Sequence, residues 1–494
     1  MKEASIHVDL DRVIGFRNPL LFGHFIEHFY RQVYGGIYDP SSKLADRDGF
    51  RSDVIDALKR ISPSVIRWPG GCFASGYHWQ EGVGERVPFY DTAWRIEESN
   101  AFGTDEFIAF CRKVGTEPYI CANAGTGSPE EMGNWVEYCN LPVAGRWARL
   151  RRENGFSEPY GVKYWSIGNE NYGEWEIGAK EPDEWARFVR ESAKMMKRVD
   201  PSIQILAASK LDLDWNYHLL KQAGHMINWL SVHGYWAEGD TPYDLCMARS
   251  GSPDQIITQM EYILGALGFL GRIPIAFDEW NLRMWHIPGF HDIPPHEVNG
   301  SSLAANEDNS TYTMADALFC ARFLNACFRH CNTVKMANFA PVVNTRGAIY
   351  THEKGIVLRP SYHVFDMYAN YTGDTVIDAY VKTPEFTVKE QAGWDVTVPY
   401  MDAVVTHDEG SKRLSIIVSN LHRDHSIEVE ICFFNREIES VAPVKVITGE
   451  TADSYNDIGN AAVGITTGGA PFSPEIPIFH CSPHSISLIQ LQLK

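Results

Sequence analysis

Two glutamates stand at the ends of apolar segments that have the character of buried strands. The segments are Trp165-Ser166-Ile167-Gly168-Asn169-Glu170 and Ala276-Phe277-Asp278-Glu279-Trp280-Asn281. A carboxylate at the end of a buried strand has lost much of its hydration, which is costly unless the group is paired or used in catalysis. A salt bridge or a helix cap would explain one such residue alone. Two in matching positions indicate a catalytic carboxylate pair.

A pair of carboxylates can catalyse the cleavage of a glycosidic bond. One group protonates the departing oxygen, and the other attacks the sugar or activates water on the opposite face. The acid needs a raised pKa and the nucleophile a low one. Asn169 is suited to bind a sugar hydroxyl beside Glu170, whereas Tyr235 and Asn281 are placed to donate hydrogen bonds to Glu279. We therefore predict Glu170 as the acid/base and Glu279 as the nucleophile. A separation of about 5 Å would mean retained configuration.

Eight short apolar runs alternate with amphipathic helical patterns, which is typical of parallel strands joined by helices. The predicted strands are Leu21–His28, Ser64–Gly70, Glu117–Asn123, Lys163–Glu170, Ile203–Ser209, Trp229–Tyr235, Ile273–Trp280 and Val334–Val343. Eight such units are what a (β/α)8 TIM barrel requires, and the active site of that fold lies at the carboxyl ends of its strands. Polar and aromatic residues follow most of these runs, so they are expected to meet at one mouth.

The pattern changes after about residue 375 to alternation with a period of two, as in Leu414-Ser415-Ile416-Ile417-Val418. This favours a C-terminal β-sandwich of jelly-roll-like form. The opening Ile6-His7-Val8-Asp9-Leu10 alternates in the same way and is expected to add a strand to that sandwich. The predicted divisions are residues 1–16 for the N-terminal strand, 17–375 for the catalytic barrel and 376–494 for the sandwich.

Composition excludes several classes of partner. The 494 residues contain 44 Lys and Arg against 63 Asp and Glu, a formal net charge of −19 that repels nucleic acid and anionic membranes. No apolar run approaches the length of a membrane span or a signal peptide, so a cytoplasmic location is expected. The ten cysteines include no Cys-x-x-Cys pair and favour reduced, buried thiols. Cys327, His330 and Cys331 have no matching second ligand pair, and we predict neither a metal nor a cofactor.

Specific motifs in a fixed order extend through the predicted barrel. They include Gly23-His24-Phe25-Ile26-Glu27-His28, Arg67-Trp68-Pro69-Gly70-Gly71, Gly168-Asn169-Glu170 and Phe277-Asp278-Glu279-Trp280-Asn281. With these motifs the chain resembles the family 51 glycoside hydrolases, the α-L-arabinofuranosidase family. The resemblance implies a retaining exo-hydrolase that releases terminal non-reducing α-L-arabinofuranosyl residues from arabinose-containing oligosaccharides. It also implies a cytoplasmic homo-oligomer, often a hexamer.

The resemblance carries over to individual residues. It implies the same roles for Glu170 and Glu279, places Glu27 and Asn169 on the furanose hydroxyls and Tyr235 near the nucleophile, and assigns Trp94 to the pocket wall and His233 to a supporting role.

This chain also departs from the family pattern. Cys72 follows Gly-Gly where many members have Asn, and Pro341 stands where they often have a Gln that touches the sugar, with Asn344 three residues later. Cys72 and Asn344 are therefore predicted as substrate-binding residues. Because fold and carboxylate pair do not fix the sugar, an endo-β-glucanase, another furanosidase or a non-catalytic carbohydrate-binding barrel are alternatives.

His286, His291 and His296 recur every five residues in the Pro- and Gly-rich loop after the nucleophile strand. A lid that contacts substrate is one interpretation, and ordinary loop histidines are the other. The spacing matches no standard metal-ligand motif.

Overall fold

The computed structural model describes residues 2–285, 290, 292–294, 297–298, 304–389, 395–434, 438–468, 472–473 and 477–494. Its centre is a closed barrel of eight parallel strands in which each strand pairs with the next and the eighth pairs with the first. The strands are Gly23–Phe25, Val65–Trp68, Glu117–Ala122, Tyr164–Ile167, Gln204–Ala208, Trp229–Ala237, Ile275–Arg283 and Val334–Phe339. The predicted barrel fold is confirmed.

Helices surround the barrel, and several of them pack their apolar faces on its strands. They are Ser52–Ile61, Thr104–Val114, Pro129–Asn140, Arg146–Glu153, Pro182–Val199, Leu213–Ala223, Tyr243–Arg249, Ser252–Ala266, Met314–Arg329 and Pro360–Tyr371. Several begin at side chains that cap free backbone N–H groups: Ser128 accepts from the amide of Glu131, and Asp212 from that of Trp215. These caps fix where the helices start after each loop.

A ten-stranded sheet forms the second unit. The N-terminal strand Lys2–Phe16 lies inside this sheet, antiparallel to Thr375–Lys382 and parallel to Ile427–Phe434. The other seven strands are Met401–Asp408, Arg413–Asn420, Ile438–Val441, Lys445–Thr448, Gly464–Thr467, Ile478–Cys481 and Ser485–Leu493. The prediction that the C-terminal sheet domain takes the N-terminal strand is confirmed.

The two faces of this sheet belong to different cores. Ile6, Val8 and Ile416 belong to an apolar cluster of the sheet's own. Val404 and Ile417 point the other way and join the cluster that surrounds the barrel. The helix Met314–Arg329 lies between the barrel and the sheet and is buried from Met314 to Phe328.

Four two-stranded hairpins complete the strands of the described residues: Phe89–Asp91 with Ile96–Glu98, Ile349–His352 with Gly355–Leu358, Glu385–Lys389 with Asp395–Pro399, and Asn456–Asp457 with Asn460–Ala461. Within the described part of the chain, no helix combines the length and the apolar character needed to span a bilayer.

Candidate active site

Glu170 follows the fourth barrel strand in a turn with unusual backbone geometry. Its φ is +44°, in the left-handed region that non-glycine residues rarely adopt, and such strain is concentrated at functional sites. Gly168 precedes it with φ +71°, and a Cβ there would lie 2.0 Å from Oδ1 of Asn171. Only glycine fits this turn, which directs Glu170 towards the barrel mouth.

Glu279 lies within the seventh strand and is held by two strong donors. The hydroxyl of Tyr235 donates to Oε1 over 2.6 Å, and Nη1 of Arg67 donates to Oε2 over 2.6 Å. Arg67 is completely buried at the end of the second strand. The bond from the guanidinium is charge-assisted, and the two donors together fix the position of both carboxylate oxygens.

The two glutamates face the same cavity. One oxygen of Glu170 and one of Glu279 lie within 4.8 Å of each other. The cavity has a volume of about 540 Å³. Its lining includes Glu27, Cys72, Thr92, Ala93, Trp94, Arg95, Glu170, Trp175, Ile177, Tyr235, Glu279, Met284, Trp285, Phe290 and Arg346. The structure therefore brings both predicted catalytic residues together at the carboxyl ends of the strands.

His233 lies between the carboxylates of Glu170 and Asp278. Its Nδ1 lies 2.8 Å from Oε1 of Glu170, and its Nε2 lies 3.5 Å from Oδ1 of Asp278. Burial alone would lower the pKa of this imidazole, but Glu279, Asp278 and Glu170 together raise it to about 10. His233 is therefore a cation at neutral pH, and it donates to Glu170.

This cation changes the expectation for the acid. Burial raises the pKa of Glu170, but the hydrogen bond and charge of His233 outweigh it, with further help from the indole N–H of Trp175 and from Arg67, so the pKa lies below its usual value. The prediction of a raised pKa was wrong for Glu170. The proton of this pair lies on His233 at neutral pH.

Glu27 also lines the cavity, and no cation among the described residues is bonded to it. Its Oε1 accepts from the indole of Trp94 and from the backbone amide of Phe73, each over 3.1 Å. Burial and the nearby Glu279 raise the pKa of Glu27 to about 8. A Cβ at Gly70 would lie 2.9 Å from the carboxylate, so this glycine leaves the space that Glu27 occupies.

Asn169 is buried behind the pocket and oriented by its neighbours. Its Oδ1 accepts from Nη2 of Arg67 over 2.8 Å, and its Nδ2 donates to Oε2 of Glu176 over 3.3 Å. Cys72 lines the cavity close to Glu176. The structure thus places Asn169 and Cys72 together with Glu176 at the cavity, and their role in substrate binding stays a prediction.

Two polar predictions are wrong. Asn344 is fully buried, but its amide bonds to the backbone oxygen of Arg31 and to Thr351, because the chain turns at this residue with φ +54°. It does not line the cavity. Asn281 donates to the backbone oxygens of Ala340 and Arg346 rather than to Glu279.

Three residues at the site had no predicted role. Arg67 and Glu176 orient Asn169, and Arg346 lines the cavity and donates to Tyr235 over 3.1 Å. Trp175, one of several tryptophans near strand ends that could stack on a sugar or pack in the core, donates to Glu170 over 2.8 Å. A signal existed for Arg67, because an arginine within an apolar strand run needs a carboxylate partner. Glu176 and Arg346 stand in loops, where no periodicity marks them.

The three loop histidines lie outside the described residues. For His286, His291 and His296 the lid interpretation therefore stays a prediction. Phe290, from the same segment, lines the cavity and contacts Trp94 and Trp285.

Although the sequence predicts no metal, the fold brings one histidine and two carboxylates together at the strand ends. Ligand atoms of Glu170, His233 and Glu279 lie within 4.8 Å of one another, a grouping of the kind that can hold a metal ion. Zinc binds such atoms at about 2.0–2.2 Å. Here the carboxylate oxygens already accept from His233, Arg67 and Tyr235. The donor set favours charge pairing over metal binding.

A barrel that holds two carboxylates face to face at the carboxyl ends of its strands defines a glycoside hydrolase. Comparisons with known proteins give the same class. A family model described as Alpha-L-arabinofuranosidase 1 domain matches residues 57–242, and one described as Alpha-L-arabinofuranosidase C-terminal domain matches residues 278–484. The chain belongs to the α-L-arabinofuranosidase family, family 51 of the glycoside hydrolases.

Relatives match over the full length. Intracellular exo-α-(1→5)-L-arabinofuranosidase 1 of Bacillus subtilis is 32% identical, over 100% of this chain and 99% of that protein. The structure of the Thermotoga maritima α-L-arabinofuranosidase in its arabinose complex is 34% identical, with 99% of each chain covered and a TM-score of 0.88. The family 51 arabinofuranosidase of Xanthomonas axonopodis pv. citri is 28% identical, with 100% of each chain covered and a TM-score of 0.89.

Proposed function

We propose that this glycoside hydrolase is a retaining, exo-acting α-L-arabinofuranosidase that releases terminal non-reducing α-L-arabinofuranosyl residues from arabinose-containing oligosaccharides. The observation that carries the proposal is the approach of Glu170 and Glu279 to within 4.8 Å in one cavity. Retaining enzymes hold their carboxyl groups about 5–5.5 Å apart, whereas inverting enzymes need about 6.5–9.5 Å to admit a water molecule. The names of the relatives support L-arabinofuranose as the sugar that is released.

The mechanism has two displacements. Glu279, ionised beside Arg67, attacks the anomeric carbon, and the bond to the leaving oxygen breaks as Glu170 protonates that oxygen. The proton comes from His233, whose Nδ1 lies 2.8 Å from Glu170. Glu170 then removes a proton from water, which attacks the same carbon and releases the sugar from Glu279. No cofactor takes part in this scheme.

The walls of the cavity favour exo action. Trp94, Trp285 and Phe290 line the cavity and contact one another, with ring centroids 4.7 Å apart between Trp94 and Trp285. Such walls suit one terminal sugar, whereas an endo-glucanase needs an open cleft. The name of the Bacillus subtilis relative includes "exo".

Location and assembly belong to the same proposal. All ten cysteines are free thiols, of which eight are buried and two, Cys72 and Cys432, are partly exposed. Free thiols persist in a reducing compartment. With the word "Intracellular" in the name of the Bacillus subtilis relative, this supports a cytoplasmic enzyme. We also propose a homo-oligomer, up to a hexamer, which light scattering on the purified protein will measure.

The sugar is tested with nitrophenyl glycosides. We expect α-L-arabinofuranoside to be hydrolysed far faster than β-D-xyloside, β-D-galactofuranoside or β-D-glucoside, and proton NMR to show the α-anomer as first product. A β-anomer would contradict the retaining mechanism. Preference for a different glycoside would contradict the assignment of L-arabinofuranose as the sugar that is released. Turnover of none would favour the carbohydrate-binding alternative.

The roles of the two glutamates are tested by leaving-group chemistry. We expect Glu279→Ala to lower kcat by at least about 10⁴-fold for every substrate. Glu170→Ala should cost about 10²- to 10³-fold for oligosaccharides but less than about tenfold for activated aryl glycosides, which need little protonation. Glu174→Ala, at an exposed position of the same loop, is the matched control and should keep full activity. Equal losses of Glu170→Ala on both substrate classes would refute the assignment.

A further inference from the structure

Glu176 is a buried carboxyl group that the two displacements do not use. It is 4% exposed, and its Oε2 accepts from Nδ2 of Asn169 over 3.3 Å. Its Oε1 makes no well-formed hydrogen bond among the described residues, although the Ser75 hydroxyl and the Cys72 thiol lie near enough to lower its pKa. A carboxyl group buried with only weak partners is costly, so its place beside the pocket calls for a function.

A continuous series of hydrogen bonds joins Glu176 to the nucleophile. Arg67 donates to Oε2 of Glu279 over 2.6 Å and to Oδ1 of Asn169 over 2.8 Å. Because Oδ1 accepts from Arg67, the amide nitrogen of Asn169 must face Glu176. These two neighbours fix the orientation of the amide.

Cys72 connects Glu176 to the cavity itself. The thiol lies against Glu176 and lines the pocket, and burial raises its pKa, so it keeps its hydrogen. An ionised Glu176 takes that hydrogen in a hydrogen bond. A protonated Glu176 donates to the sulfur instead and leaves the S–H free to point at the pocket. The protonation of Glu176 therefore decides whether Cys72 presents a donor or an acceptor.

We propose that Glu176 is a positioning residue that sets how tightly the pocket binds its sugar, by orienting Asn169 and Cys72, and that its protonated form is the one that binds tightly. This inference rests on the proposed function, because it concerns the same cavity and the same arabinofuranosyl group.

The surroundings of Glu176 support titration near neutrality. The groups that face it are Cys72 and Ser75 after the second strand, Glu170 and Tyr172 after the fourth, and Glu279 in the seventh. Burial raises the pKa of Glu176 most, Ser75 and Cys72 lower it, Glu170 and Glu279 raise it again, and the result is about 7.

The sign of the effect follows from linkage. An uncharged sugar displaces water from the cavity, and the loss of water disfavours the ionised carboxyl further. Sugar binding therefore raises the pKa of Glu176 and is accompanied by proton uptake. By the same linkage, affinity falls as the pH rises through the pKa of the free enzyme.

The test compares KM across pH 5.5 to 8.5 on nitrophenyl α-L-arabinofuranoside for the wild type, Glu176→Gln and the matched control Glu174→Gln. A group with a pKa of 7 is about three-quarters ionised at pH 7.5. Relative to pH 6, the wild type and the control should therefore show KM about fourfold higher at pH 7.5. Glu176→Gln mimics the protonated form and cannot ionise. For this variant the increase in KM should begin only near pH 8, where Glu27 still loses its proton.

The outcomes separate this inference from the proposed function. A wild type that does not turn over the glycoside refutes the function. If the wild type turns the glycoside over and Glu176→Gln shows the same increase of KM with pH, only the inference is refuted. It is also refuted if Glu176→Gln has a lowered melting temperature but the pH profile of the wild type. If Glu176→Gln does not fold, calorimetry of L-arabinose binding to the wild type at pH 7 replaces it. Proton uptake should make the binding enthalpy depend on the buffer, and an enthalpy independent of the buffer overturns the inference.

Discussion

The charge of each carboxyl group in the pocket follows from the cation bonded to it. Glu170 is paired with His233, and Glu279 with Arg67, and both pairs are buried. Glu27 has no such partner in the described part of the chain, and its pKa is raised to about 8. The pocket therefore holds a cation-paired carboxylate at each of the two proposed catalytic positions, and a carboxyl group with a raised pKa at Glu27, which is proposed to bind a sugar hydroxyl.

Glu27 makes stability depend on pH. A carboxyl group whose pKa is raised in the folded state binds a proton there that the unfolded chain has lost, so stability falls as the pH rises from about 4.5 to about 8. Glu27→Gln cannot ionise and can still accept from Trp94. We expect the melting temperature of this variant to exceed that of the wild type by an amount that grows between pH 5 and pH 8, although its activity falls.

The control for this prediction is Glu97→Gln, at an exposed position of the neighbouring hairpin. It should follow the wild type at every pH. A constant difference between Glu27→Gln and the wild type across the pH range would show that Glu27 ionises normally.

The sequence predicts the functional residues that stand at the ends of strands, but not those whose side chains contact residues of distant strands. Glu170 and Glu279 follow from their own segments. Arg67 contacts Glu279 over 212 positions of chain, and its role depends on which strands face each other. Asn344 was misplaced because the eighth strand ends at Phe339 and the following turn directs the amide away from the cavity.

At the scale of elements, all eight barrel strands fall where apolar runs were found, but their ends differ. The first is only Gly23–Phe25, within the predicted Leu21–His28, since the flanking residues are also buried. The sixth and seventh extend to Ala237 and Arg283, beyond their predicted ends. Hydrophobic periodicity records burial, which continues through these loops and does not mark where pairing stops.

The N-terminal strand gives a prediction at this scale. Ile6 is fully buried in the core of the sheet, whereas Asp9 is half-buried on the opposite face. Removing most of a buried isoleucine costs about 2–5 kcal/mol. We expect Ile6→Ala to lower the urea midpoint of unfolding clearly and Asp9→Ala to leave it almost unchanged. Equal midpoints for the two variants would mean that the strand contributes little to the fold.

At the scale of the molecule, barrel and sheet share one apolar cluster. Val404 and Ile417 of the sheet belong to the cluster that surrounds the barrel, and the helix Met314–Arg329 contacts both units. The alternation of sequence patterns predicted two units, but it gave no means of seeing that one face of the sheet is buried against the other unit.

This shared cluster predicts cooperative unfolding. Nearly all tryptophans precede residue 286, so their fluorescence reports mainly on the barrel, whereas far-UV circular dichroism reports on both units. We expect the two signals to coincide in urea, as one transition requires. Two separate midpoints would show that the units unfold independently.

The place of the first strand has a consequence for synthesis on the ribosome. Residues Lys2–Asp9 pair with Ile427–Phe434, which are translated roughly 400 residues later. At about 5–20 residues per second, the first strand waits for the order of half a minute before this neighbour exists. Until then, the apolar side chains of the N-terminal strand must be kept from aggregating. The residues of the barrel are therefore all synthesised before the first strand of the chain can complete its pairing in the sheet.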